Sequence, residues 1–148
     1  VCRPMNTEKY LLQYADLIKK VRRYEERIEQ IENTLKGVNL DGMPHGTALG
    51  DPTRTKALNL AILREQLGYA KIDAEIKRQE IADNIEKIKN PKYKELLFDR
   101  YLLLMPWEDV RRNMDAFRHG HEYELKSVMG PMKWQAMREL EEVLKCTF

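Results

Sequence analysis

The fold expected for this chain depends on residues 14–38, which read YADLIKKVRRYEERIEQIENTLKGV. Apolar residues recur there at alternating steps of three and four, the spacing that places side chains on one face of an α-helix. Thr7 or Asn6 can cap the start of this helix. About 30 helical residues would extend roughly 45 Å, so a second long helix must cover much of the apolar stripe. The stripe consists of Tyr14, Leu17, Val21, Tyr24, Ile28, Ile31, Leu35 and Val38.

The expected partner helix begins at Asp51-Pro52-Thr53 and runs to Asn90. Aspartate is a good N-cap, and proline is favoured at the first helical position. Residues 39–51 contain three glycines and a proline, a composition that predicts a loop. The sequence therefore predicts an antiparallel, coiled-coil-like helical hairpin over residues 6–90, with a loop at 39–51. The apolar stripe of the second helix comprises Leu60, Leu63, Leu67, Ala70, Ala74, Ile81, Ile85 and Ile88.

The second helix carries more apolar residues than one seam requires, namely Leu58, Ile62, Ile72 and Ile76. Two helices packed together bury only one stripe each. The surplus either packs on the C-terminal part or joins copies of the chain, and we favour a homo-oligomer formed through the arm. The predicted interface residues are Leu17, Val21, Tyr24, Ile28, Ile31, Leu35, Leu60, Leu63 and Leu67.

Residues 91–148 are predicted to form a small C-terminal unit of the helix-turn-helix type. Asn90-Pro91 provides a cap and a first helical proline, which open a short helix. The following segment 98–114, FDRYLLLMPWEDVRRNM, is interrupted at Met105-Pro106 and continues from Trp107. Two short helices would meet at this corner, which fits either a helical bundle or a helix-turn-helix. A third helix would have to read DNA, and residues 118–129 and 132–145 are the two candidates.

Composition and charge favour an all-α protein and limit how it could bind nucleic acid. Charged residues make up 34% of the chain while glycine, proline and aromatic residues are scarce, which is typical of long amphipathic helices. The net charge is only +2, and residues 92–148 carry ten basic and ten acidic side chains. Binding through phosphate contacts alone would therefore be weak. The candidate DNA contacts are Arg111, Arg112, Arg118, His119, His121, Lys126, Lys133 and Arg138.

The sequence contains no pattern that indicates an enzyme, a metal site or a cofactor. The three histidines form no motif with Cys2 or Cys146, and GxSxG, HExxH and phosphate-binding glycine motifs are missing. There is no apolar stretch of about 18 residues, so no membrane-spanning helix is predicted. The spacing of the two cysteines predicts no disulfide framework and favours a reducing cytoplasm.

Several groups of residues occur along the chain in a recognisable order, namely Lys9-Tyr10-Leu11, Asp41-Gly42-Met43-Pro44-x-Gly46, Asp51-Pro52-Thr53, Ile88-x-x-Pro91-x-Tyr93-x-x-Leu96-Leu97-x-x-Arg100-Tyr101 and Trp107-Glu108-x-Val110. Taken together, they resemble the ArpU/RinA-type transcriptional regulators of phages and prophages in Gram-positive bacteria. The resemblance covers about residues 8–114 and implies a helical arm joined to a helix-turn-helix similar to the promoter-reading end of sigma factors. It implies a role in controlling late phage genes.

Two functions are consistent with these sequence features. The first is a regulator that binds double-stranded promoter DNA, with Arg111, Arg112 and Arg118 as phosphate contacts. The second is an assembly factor with little DNA binding of its own, which docks on host RNA polymerase or acts as a small-terminase-like subunit. Both are non-enzymatic and would act in the cytoplasm of a bacterial host cell.

Overall fold

The computed structural model describes residues 6–36, 52–115 and 122–147, and within these ranges the regular structure is entirely helical. The predicted all-α class, with its long N-terminal helical pair, is confirmed. The predicted loop at 39–51, Val38, Arg118, His119 and His121 lie outside the described residues. The helices are α1 (Thr7–Lys36), α2 (Pro52–Glu86), α3 (Pro91–Leu97), α4 (Trp107–Met114), α5 (Leu125–Ser127) and α6 (Lys133–Thr147), with π-helical turns at Phe98–Leu102 and Val128–Met132.

Local capping explains where two of these helices begin. Asn6 Oδ1 accepts a hydrogen bond of 3.2 Å from the backbone N–H of Lys9, so Asn6 caps α1. Asn90 accepts a hydrogen bond of 3.0 Å from the N–H of Lys92, and Pro91 occupies the first helical position of α3. Both starts were predicted from the residue types alone.

The described residues form two compact units. The arm unit comprises residues 17–74, and the C-terminal unit comprises residues 6–16 together with residues 75–147. The division falls within α1 and α2, whereas the domain boundary predicted from the sequence lay between residues 90 and 91. The difference arises because Leu11, Ile81 and Ile85 belong to the core of the C-terminal unit.

Within the arm unit, α1 and α2 run antiparallel. Arg64 forms an ion pair of 2.8 Å with Glu32, and Lys71 forms one of 3.8 Å with Glu25. The later residue of α2 therefore pairs with the earlier residue of α1, as expected for two helices that run in opposite directions. The predicted oligomer residues Leu17, Val21, Tyr24, Ile28, Ile31, Leu35, Leu60, Leu63 and Leu67 are all buried or half-buried within the single chain.

The C-terminal unit is built around one apolar core. Leu11 and Ile81, from the long helices, are fully buried together with Leu97, Val110 and Leu140 from the helices that follow. Burial of an aliphatic side chain of this size stabilises a fold by about 1.5–3 kcal/mol. The C-terminal helices are therefore held on the ends of α1 and α2 by apolar packing, as parts of one unit.

Residues 125–147 form one uninterrupted helix, which we call the terminal helix. The sequence had suggested that Gly130-Pro131 separates two alternative DNA-reading helices, and that interpretation was wrong. Proline removes a backbone donor and clashes with a preceding carbonyl in an ordinary α-helix. Here Pro131 lies inside the π-helical turn Val128–Met132, where the wider turn accommodates it. Residues 125–129 of the first candidate DNA-reading helix therefore lie on the terminal helix, together with all of the second candidate, residues 132–145.

Candidate nucleic-acid interface

A closely bonded corner joins α3 to α4. The backbone N–H of Met105 donates to the carbonyl of Asp99 at 3.0 Å, and Arg100 Nη1 donates to the carbonyl of Met105 at 2.9 Å. Leu104, between them, has a φ of 56°, which is unusual for a residue with a branched side chain. The chain thereby reverses within a few residues and presents Trp107 as the first residue of α4. Pro106 immediately precedes this helix, in agreement with the interruption at Met105-Pro106 expected from the sequence.

Polar and apolar contacts both fix α4 at this corner. Asn113 Nδ2 donates to Oδ2 of Asp99 at 3.0 Å, and Asp99 is only 2% exposed. Val110 and Met114 are fully buried on the inner side of the helix. The Asp99 carboxylate keeps this hydrogen bond, and Val110 and Met114 stay buried, only with α4 in this position. Helix α4 therefore provides a stable support for side chains on its outer side.

Arg111, a predicted phosphate contact, is engaged inside the fold. Its guanidinium donates to Glu108 Oε1 at 2.6 Å from Nη2 and at 3.0 Å from Nε. Nη1 lies 3.4 Å from both Asp115 Oδ2 and the carbonyl of Tyr123, and the N–H of Tyr123 donates to Asp115 Oδ1 at 2.9 Å. The hydrogen bonds from Arg111 hold the pKa of Glu108 below its ordinary value. Arg111 thus fastens α4 to the segment that leads into the terminal helix.

Lys133, another predicted contact, is also held by the protein. Its Nζ forms an ion pair of 2.9 Å with Glu8 Oε1. The same Nζ lies 5.8 Å from the centre of the Trp107 ring, and the guanidinium carbon of Arg100 lies 4.8 Å from that ring. Both distances allow a cation–π attraction. Lys133 therefore joins the start of α1 to the terminal helix, and its charge is partly neutralised there.

Three predicted cations remain open to solvent. The side chain of Arg112 is 66% exposed and lies 3.5 Å from Asp109, a separation at which a surface pair contributes little. Lys126 and Arg138 are exposed on the terminal helix. The guanidinium of Arg138 lies 4.6 Å from the centre of the Trp134 ring. Arg112, Lys126 and Arg138 are thus the predicted contacts whose side chains are exposed among the described residues.

Trp134 is a candidate site residue that the sequence analysis did not include. It is largely exposed, and with Arg138 it borders an open groove of about 860 Å³ that also includes Glu8 and Gly130. The position of Trp134 in the sequence was a signal of its exposure, because it lies off the helix face that carries Ala136 and Leu140. Both of those residues are buried. An exposed tryptophan beside an arginine offers both a flat apolar surface and a charged fork to a ligand.

Acidic residues are unevenly distributed along the terminal helix. Residues 125–138 include Lys126, Lys133 and Arg138 but no aspartate or glutamate. The acids of this helix, Glu139, Glu141 and Glu142, all follow Arg138. The first half of the helix is therefore locally basic although residues 92–148 as a whole are neutral. We use the name cationic face for the exposed residues Arg112, Lys126, Trp134 and Arg138, of which Trp134 and Arg138 are in contact.

Comparison of the chain with protein-family models, curated proteins and solved structures finds no match. Among the described residues, no cluster of three or more histidine, cysteine or carboxylate side chains is arranged to hold a metal ion. Within the same ranges, each helix is either too short or too polar to cross a bilayer.

Proposed function

We propose that this chain is a non-enzymatic transcriptional regulator of phage type, which binds double-stranded promoter DNA through the cationic face. It acts in the cytoplasm of the bacterial host and assembles as a homo-oligomer through its helical arm. The observation that carries the proposal is the exposed pair Trp134 and Arg138 on a helical segment, residues 125–138, that has no acidic residue. The ordered resemblance to the ArpU/RinA-type regulators agrees with it.

The cationic face has the chemistry required for backbone contacts with DNA. Arginine can donate two parallel hydrogen bonds to a phosphate, and its charge is retained at any physiological pH. Trp134 lies close enough to Arg138 to hold its guanidinium in place. If Arg112, Lys126 and Arg138 each neutralise one phosphate, log K should fall with log salt with a slope of roughly −3 per C-terminal unit.

The proposal is tested by fluorescence anisotropy with upstream regions of late phage genes, measured over a range of salt concentrations. A triple variant, Arg112→Ala, Lys126→Ala and Arg138→Ala, should bind much more weakly and with a shallower salt slope. The matched control is Lys19→Ala, Lys20→Ala and Arg23→Ala, which removes the same charge from exposed positions of α1. Equal losses in both variants would indicate non-specific attraction only and would contradict the proposed surface.

A second candidate, a protein-docking factor for host RNA polymerase or a packaging protein, is favoured by the engagement of Arg111 and Lys133 in ion pairs. With these two cations paired, fewer charges remain for DNA. This function predicts no binding of promoter DNA at micromolar protein, together with co-purification of host RNA polymerase. That combination of results would replace the first proposal.

A further inference from the structure

Helix α2 has a second apolar face within the arm unit, besides the one that meets α1. Leu58, Ile62, Tyr69 and Ile72 are 58%, 53%, 61% and 57% exposed. They follow each other at steps of four, seven and three residues along the helix. We call these four residues the outer stripe. Its spacing is that of the contact positions of a coiled coil.

The outer stripe is distinct from the face that packs on α1. The inner positions Leu60, Ala70 and Ala74 are buried within the single chain, while each member of the outer stripe is more than half exposed. An exposed row of large aliphatic and aromatic side chains along one helix marks an interaction surface. The residues predicted as the oligomer interface are the ones already covered by the chain itself, so a different set is available to a partner.

We infer that the outer stripe packs against the same stripe of a second copy of this chain, with the two α2 helices antiparallel and a two-fold axis at the level of residue 67. This inference rests on the homo-oligomer that the proposed function includes and assigns its interface. The spacing supports it, because a two-fold axis requires every contact to be reciprocal. Ile62 then faces Ile72 of the second copy, and the same contact recurs on the other side of the axis.

Glu65 lies between Ile62 and Tyr69 at a position that continues the spacing of the outer stripe, and it is the one polar residue there. The antiparallel register also accommodates this residue. It faces Tyr69 of the second copy, and within one chain the Tyr69 hydroxyl already lies 3.4 Å from Glu65 Oε1. A phenol donor is therefore available to the carboxylate in the interface. A parallel dimer in the same seam would instead place Glu65 against Glu65, a repulsion between like charges. The antiparallel arrangement is favoured by this difference.

The residues beside the stripe are compatible with close approach of two helices. Asp73 would face Asn59 of the second copy, so that no like charges meet there. Gly68 would lie close to the axis. The space around a Cβ at Gly68 is empty within the chain, so packing of the single chain does not require glycine there. A glycine inside a helix is otherwise unfavourable, and a neighbouring helix that approaches closely accounts for it.

The oligomeric state of the full chain provides the first test. Size-exclusion chromatography with light scattering should report about twice 17.6 kDa for the wild type and 17.6 kDa for the double variant Ile62→Glu, Ile72→Glu. Both positions are exposed, so circular dichroism should show unchanged helicity. Leu12→Glu, at an exposed apolar position of α1, is the control and should leave the dimer intact. A wild type that stays at 17.6 kDa, or a double variant that still dimerises, would overturn the inference.

Disulfide cross-linking tests the orientation in a background with Cys2→Ser and Cys146→Ser. Ile62→Cys combined with Ile72→Cys should cross-link two chains, since the two positions face each other in the antiparallel register. Ile62→Cys alone should not, because the two copies of residue 62 would lie about 15 Å apart along the helix axis. Efficient cross-linking by the single variant would demonstrate a parallel arrangement and contradict the register. A dimer that passes both tests but binds no promoter DNA would refute the proposed regulator and leave this interface standing.

Discussion

Asn113 and Asp99, fourteen residues apart in the sequence, are joined by a hydrogen bond of 3.0 Å across the corner between α3 and α4. The Asp99 side chain is buried, so its carboxylate depends on partners supplied by the fold. A buried polar group that loses its partner retains the cost of leaving water. This bond therefore holds α4, and with it Arg112, in its position on the C-terminal unit.

Asn113→Ala should lower the free energy of unfolding by about 1–3 kcal/mol, because Asp99 would lose a hydrogen bond in a buried site. Urea denaturation followed by circular dichroism measures the change. Arg112→Ala, one residue earlier and largely exposed, is the matched control and should change stability by less than about 0.5 kcal/mol. Equal effects of the two substitutions would show that the bond to Asp99 does not stabilise the corner.

Leu104 adopts a left-handed backbone conformation, with a φ of 56°. Leu104→Val should destabilise the protein by roughly 1–2 kcal/mol, since β-branched side chains are disfavoured there. Leu103→Val, at an exposed neighbour with a φ of −83°, should have a much smaller effect. Thermal unfolding of the two variants gives the comparison, and an equal shift in Tm would contradict the role assigned to Leu104.

Tyr10 should make stability fall at alkaline pH. Burial, reinforced by nearby Glu80, raises the pKa of Tyr10 from 10.0 to about 12, against the opposing effect of a 2.8 Å hydrogen bond from Asn84. The folded state then binds the phenolic proton more tightly than the unfolded state, so this contribution is complete below pH 10 and is lost as pH rises through 12. Tyr10→Phe should show a shallower fall in unfolding free energy above pH 10, measured by urea denaturation. An unchanged slope would contradict this effect of burial.

Glu108 should contribute stability that is lost in acid. Its pKa is held below the ordinary value of 4.5, chiefly by hydrogen bonds from Arg111. The contribution is therefore present above pH 4.5 and disappears as pH falls through the lowered pKa. In Arg111→Ala, the pKa of Glu108 measured by carboxyl NMR should rise toward 4.5, while Arg112→Ala should shift it less. A pKa of Glu108 that is the same in wild type and Arg111→Ala would exclude the ion pair in solution.

The two tryptophans should respond differently to DNA. In Trp107→Phe the remaining Trp134 lies on the cationic face, so its fluorescence should change when promoter DNA binds. In Trp134→Phe the remaining Trp107 is half-buried beside Arg100 and Lys133 and should change little. Trp134→Ala should also weaken binding several-fold without loss of stability. A signal from Trp107 alone would place the DNA elsewhere on the C-terminal unit.

The helices themselves were predictable because their determinants are local. The spacing of apolar residues in α1, the cap at Asn6 and the Asn90-Pro91 start of α3 depend on neighbours within about one helical turn. The all-α class and the long helical pair follow from these short-range preferences. Of the candidate site, only the identity of its basic residues could be listed in advance.

Tertiary structure decided which of those basic residues are exposed and so available to contact DNA. Lys133 pairs with Glu8, and Arg111 reaches Tyr123, whereas Arg112 and Arg138 stay exposed. Periodicity cannot separate these cases, since it records which face of a helix a residue occupies but not what packs there.

The same limit applies to α2, whose two apolar faces look alike in the sequence although one contacts α1 and the other is exposed. It also applies to Gly130-Pro131, which reads as a break yet lies within a continuous helix. The sequence by itself determined the helical segments and their starts, because backbone preferences act over a few residues. Only the tertiary structure determined which surfaces remain open, because burial depends on contacts between residues far apart in the chain.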